Sequence, residues 1–86
     1  MYKISIWLKG GGKIVENCEV NISTVEQIYR AARHAINDNL VGGGFNIKRS
    51  EQDIYPIYVA NSDIVAFQID EENFSNKFKK RKLETV

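Results

Sequence analysis

Along the first part of the chain, apolar and polar residues alternate with a period of two. Tyr2, Ile4, Ile6 and Leu8 fall on one side and Lys3, Ser5, Trp7 and Lys9 on the other, which predicts a strand with one buried face. Gly10, Gly11 and Gly12 follow, and glycine allows the positive φ of a tight reversal. The alternation then resumes over residues 13–22, with Ile14, Cys18, Val20 and Ile22 on the apolar side. A three-residue turn sets Lys9 opposite Lys13, so Leu8 faces Ile14, Ile4 faces Cys18 and Tyr2 faces Val20. On the other side Trp7 faces Val15, Ser5 faces Asn17 and Lys3 faces Glu19. Glu16, opposite Ile6, breaks the pattern and asks for a sheet margin or a bulge.

Ser23, Thr24, Val25 and Glu26 read as a capping box, in which Ser23 caps and Glu26 reaches back to it. Val25, Ile28, Tyr29, Ala32, Ala35 and Ile36 then recur at helical spacing and make one apolar stripe. Leu40, Val41 and the triplet Gly42, Gly43, Gly44 end the helix. The second half returns to strands, expected at 45–49, 54–59 and 64–69, with turns at 50–53 and 61–63. Pro56 has no N–H to give a ladder, which places its strand at an edge or a bulge. Residues 64–69 are apolar on both faces, as in a central strand or one covered by a partner. The fold class is α+β, in the order β-β-α-β-β-β, with one helix on a small antiparallel or mixed sheet. Residues 1–70 form the one domain, and 71–86 form a charged tail or a short helix with Phe74 and Phe78 on one face.

Composition narrows the partners. The chain has 86 residues and a net charge of +1, so it exerts no long-range pull on nucleic acid as a whole. The charge is local: Lys77, Lys79, Lys80, Arg81 and Lys82 crowd together just after Asp70, Glu71 and Glu72. A single cysteine allows no internal disulfide and suits a reducing cytoplasm. There is no basic-then-apolar leader and no apolar run of spanning length, so no membrane association is expected. A sheet this small has exposed edges for its size, which makes a homo-oligomer the expected state.

The chemistry-bearing residues are few. His34 falls opposite the apolar stripe, without an orienting partner or pocket, and reads as a surface histidine. Cys18 falls on the core side and reads as a small hydrophobe. One Cys and one His are too few for a zinc site, and neither glycine triplet sits between a strand and a helix as a phosphate cradle requires. No catalytic residue, metal or cofactor is therefore assigned. An enzyme would have to pair acids such as Asp38, Asp53, Asp63 or the 70–72 run in space. The candidate ligand-binding group is Tyr29, Arg30, Arg33 and Asn37, since two arginines one turn apart can hold a phosphate or carboxylate. The candidate interface is Trp7, Val15, Ile64, Phe67, Ile69, Phe74 and Phe78. Trp7 and Val15 lie on the face away from the inner row, where an indole needs cover from the tail, a second subunit or a target protein. Lys77, Lys79, Lys80, Arg81 and Lys82 are the candidate nucleic-acid contacts.

The segment Tyr58-Val59-Ala60-Asn61-Ser62-Asp63-Ile64-Val65-Ala66-Phe67-Gln68-Ile69, with the chain's length and opening hairpin, resembles the short accessory proteins of phages and prophages of Gram-positive bacteria. The likeness covers about residues 1–70 and rests on a strand–turn–strand pattern. It implies a non-enzymatic inhibitor of host defence or a regulator of host machinery, working in the host cytoplasm, and it carries over no functional residue. The expected function is thus a non-catalytic binding protein that blocks a host protein or sequesters an anionic small molecule such as a nucleotide. The alternative is a nucleic-acid-associated module that uses the basic tail.

Overall fold

The computed structural model describes residues 1–72 and 80–85. Its elements are β1 (Tyr2–Leu8), β2 (Lys13–Cys18), α1 (Ile22–Asn37), β3 (Gly44–Ile47), β4 (Ile57–Ala60), β5 (Ile64–Glu72) and β6 (Lys80–Thr85). Through β5 the order β-β-α-β-β-β is as expected. The sixth strand, β6, occupies part of the segment expected as a tail or short helix, while Phe74, Phe78, Lys77 and Lys79 lie outside the described residues.

Two sheets form. The larger has strand order β2-β1-β5-β6 and is antiparallel throughout; the smaller is the β3–β4 hairpin. One face of the larger sheet carries Tyr2, Ile4, Ile6, Cys18, Ile64, Phe67 and Ile69, all buried. The stripe Val25, Ile28, Ala32 and Ala35 of α1 packs there, and Ile47 and Val59 of the hairpin close the same core. The helix lies on β5 and β3. Two alanines in the stripe let it approach the sheet closely.

The opening hairpin is two residues out of the expected register. Trp7 faces Lys13, Ser5 faces Val15, Ile6 faces Ile14 and Ile4 faces Glu16. The cause is the turn. Gly10 and Gly11 both take positive φ inside a short 3-10 turn, Lys9–Gly11, and the Leu8 N–H donates to the Gly12 carbonyl at 2.8 Å. The reversal therefore starts earlier than a three-residue turn would. A slip of two leaves every side chain on its face, whereas a slip of one would invert the strand. Glu16 is half-buried and needs no bulge between β1 and β2, because β2 is the edge strand.

Both helix ends differ from the sequence expectation. Asn21, not Ser23, is the N-cap, and its Oδ1 accepts the Thr24 N–H at 3.0 Å. The partner that completes the cap comes from a distant loop instead of Glu26: a Glu51 carboxylate oxygen accepts the Asn21 N–H at 2.7 Å. The helix stops at Asn37, before the glycines. Asn39 takes φ +52°, the Leu40 N–H donates to the Ala35 carbonyl, and the Asn39 N–H donates to the Ile36 carbonyl. That is the Schellman arrangement, with asparagine in the left-handed position. The glycines serve the next strand. Asn61 donates from its side chain to the Gly42 carbonyl at 2.9 Å and from its backbone to the Gly43 carbonyl, so the loop is pinned to the end of β4.

Gly44 sits beneath the Tyr58 ring, and a methyl group there would run into that ring and the Val59 carbonyl oxygen. Because one obstacle is backbone, the strand pair itself would have to move. Gly44→Ala is expected to lower stability by roughly 1–3 kcal/mol, the usual cost of overpacking, read as a lower urea midpoint with unchanged slope.

Candidate functional site

Three surfaces hold the candidate residues. The first is the outer face of the larger sheet. Trp7 lies there, half-buried and outside the core cluster, with the Lys13 amine 4.8 Å from its ring centroid. Cross-strand neighbours on this face are Val15, Ser5 and Gln68 in one row, and Lys13, Trp7 and Ala66 in the next. Val15 is 42% exposed. The indole thus sits on the side away from the helix, as the alternation predicts. Ile64, Phe67 and Ile69, expected at an interface, are instead buried in the chain's own core. The helix covers the face of β5 that they occupy, so the apolar run marks an interior strand.

The second surface is the outer flank of α1. Tyr29, Arg30, Arg33, His34, Asn37 and Asp38 line a shallow groove of about 270 Å³. The four residues expected to bind a ligand do come together, because all lie on successive turns of one helix. Tyr29 is shared between surface and core: its ring meets Phe67 at 5.8 Å in an edge-to-face contact, and its hydroxyl accepts from Arg33. Arg33 is thereby held against the protein while Arg30 extends into solvent. His34 pairs with Asp38 one turn on, so it has a partner after all, and both side chains are exposed.

The third surface was not expected. It is the corner formed by residues 49–58. Sequence patterning reads 54–59 as strand, yet β4 begins only at Ile57. Ile54, Tyr55 and Tyr58 are 78%, 76% and 60% exposed. The loop that bears the first two is tightly bonded. Asp53 accepts the Arg49 N–H at 2.9 Å, the Arg49 Nε–H at 3.0 Å and the Tyr55 N–H at 3.0 Å. Arg49 also donates to the Tyr55 carbonyl at 2.8 Å. These bonds to its charged form hold the Asp53 carboxyl near 2, below its usual 3.8. Glu51 joins the same loop to the start of α1, and its hydrogen bond from Asn21 lowers its carboxyl as well. Pro56 and the acids of the 51–53 stretch are the signals that mark a built loop here. Asp53 reaches Tyr55 two residues on, as an Asx turn does, whereas the partners of Glu51 at Asn21 and Thr24 are too distant in sequence for a local rule to point to them.

The remaining candidates separate. Cys18 is buried, and desolvation first, then the Glu16 charge, push its thiol up to about 11. Asp53 is committed to Arg49, Asp38 to His34, and Asp70 accepts from Gln68 at 2.8 Å. Among the described residues no three His, Cys, Asp or Glu side chains gather as metal ligands would, and no helix is long and apolar enough to cross a membrane. Lys80, Arg81 and Lys82 stand in register opposite Glu72, Glu71 and Asp70. The basic run is thus set against the acidic run along one strand pair. Comparison with family models, with curated proteins and with solved structures finds no match for this chain.

The Asp53 network makes a pH prediction. Its folded pKa is depressed, so its stabilisation is complete above 3.8 and is lost as pH falls from there toward about 2, where the unfolded chain takes up the proton first. Thermal melts across that range should show a fall in Tm that is smaller in Asp53→Asn, which is already less stable at neutral pH and keeps only the contribution of Glu51 and the other acids.

Proposed function

We propose that this chain is a non-catalytic binding protein that acts by occupying a protein partner, as a phage-type accessory inhibitor does when it blocks a host protein. The observation that carries this reading is the corner at Ile54 and Tyr55. Two large side chains are held out into solvent at 78% and 76% exposure, on a loop whose backbone is fixed by Asp53. Neither takes part in the core. Tyrosine offers a broad contact with few rotatable bonds, and a loop that is already ordered loses little entropy when it docks. Loops on a rigid scaffold are where binding residues concentrate.

Two other readings weigh less. Sequestration of an anionic small molecule draws on Arg30, Arg33 and Asn37, but their groove has walls from one helix alone and Arg33 is bonded to Tyr29. Small-molecule sites enclose most of their ligand, and this groove suits at most an anionic group on a larger surface. A nucleic-acid role needs an unopposed basic arm, whereas Lys80, Arg81 and Lys82 lie across from acids.

The test compares the wild-type chain with Ile54→Ser/Tyr55→Ser, which leaves the core and the Asp53 bonds in place. Both are immobilised and exposed to lysate of a Gram-positive bacterium. A discrete protein should be retained by the wild type and lost by the variant, and on titration with that protein the shifted amide signals should cluster at residues 49–58. Equal retention by both, or shifts centred on the helix groove, would overturn the assignment.

A further inference from the structure

We infer that two copies of this chain join along β2, pairing as antiparallel strands about a two-fold axis at Val15. Hydrogen-bonded pairs alternate along an antiparallel ladder, and the Leu8 N–H donation to Gly12 sets the phase between β1 and β2. Ile14, Glu16 and Cys18 therefore turn their N–H and C=O groups toward β1. Lys13, Val15 and Asn17 turn theirs outward, to the open edge of the four-stranded sheet.

The next outward residue, Glu19, is already occupied. Its N–H donates to the Arg49 carbonyl at 2.8 Å, and it bridges Ser50 in parallel. At the other end the hairpin turn begins at Gly12. The open stretch is thus residues 13–17, and its midpoint is Val15. Among the described residues nothing else takes these three pairs of backbone groups.

A second copy fits this window better than a generic strand. With the axis at Val15, Lys13 meets the partner's Asn17, Val15 meets its own copy, and Asn17 meets the partner's Lys13. All three are hydrogen-bonding pairs, which makes six backbone bonds from groups that now face water. An axis one residue later would set Glu16 against its own copy, and like charges directly opposed are unfavourable. An axis one residue earlier leaves Asn17 outside the pairing. The Val15 axis also stacks the two half-exposed valines on the outer face, next to the Trp7 row.

Edge strands usually guard themselves with lysine, proline or a bulge. Here β2 has no proline and no bulge against β1, and the Lys13 amine is folded back over the Trp7 ring of its own sheet. The helix packs on β5 and β3, not on the edge strand β2. The product is one continuous sheet with both helices on the same face. It does not depend on what the Ile54 and Tyr55 corner binds.

Sedimentation velocity and native mass spectrometry of the full chain should show a dimer at micromolar concentrations. Val15→Pro removes an outward N–H without touching the β1 ladder, a tolerated place for proline. It should weaken the dimer about tenfold or more, from two lost bonds at the axis, with an unchanged far-UV circular dichroism spectrum. Val15→Cys tests the register independently, since paired residues at the axis come within about 5.5 Å, inside disulfide reach. It should form a covalent dimer on mild oxidation. Asn17→Cys should not, because its copy lies about 13 Å away along the strand. A chain that stays monomeric, a dimer indifferent to Val15→Pro, or equal crosslinking by the two cysteine variants would overturn the proposal. If Val15→Pro fails to fold, the cysteine comparison decides.

Discussion

The structure rests on one contact: the small-residue stripe of α1 against the inner row of β1 and β5. Ala32 and Ala35 of the helix share one core with Ile4, Ile6, Phe67 and Ile69, and all six are buried. These are among the most non-local pairings in the chain, because β1 lies beside β5 across the whole intervening sequence. Everything else takes its place from that layer. The hairpin β3–β4 closes one side of the core with Ile47 and Val59, and the outer face of the sheet is left to Trp7, Ser5 and Val15. Removing Phe67 would cost about 3–5 kcal/mol, a large share of the stability available to a domain of this size.

A second constraint runs from the helix start to the 49–55 loop. Glu51 takes the place a capping-box glutamate would hold, and Asp53 gathers Arg49 and Tyr55 a few residues on. Two acids thus convert what would be a mobile connection into a fixed one. Large apolar side chains held in water are costly unless something covers them, and here they stand on a loop fixed by the bonds of Asp53 and Arg49. The same loop also seals one end of β2 at Glu19, so it defines where the open sheet edge stops.

Much of this was legible in the residue pattern. Alternation assigned the faces of β1 and β2, and those assignments survived a register error because the slip was even. The helix stripe was plain at Val25, Ile28, Ala32 and Ala35. The exposed corner was not legible, because Ile54, Tyr55 and Tyr58 are ordinary strand residues by type, and only the Asp53 bonds remove the first two from a strand. The apolar run at 64–69 was readable as interior or as interface, and nothing local separates the two.

By itself, the order of polar and apolar residues determined the element sequence through β5, the inner and outer faces of the first hairpin, and the placement of Trp7 away from the core. These follow from periodicity, which is a property of neighbours along the chain. Tertiary structure alone decided the cap that Glu51 provides, the burial of Ile64, Phe67 and Ile69, and the alignment of the basic run against the acidic one. Each of these depends on groups brought together through space, and their spacing in sequence carries no trace of the meeting.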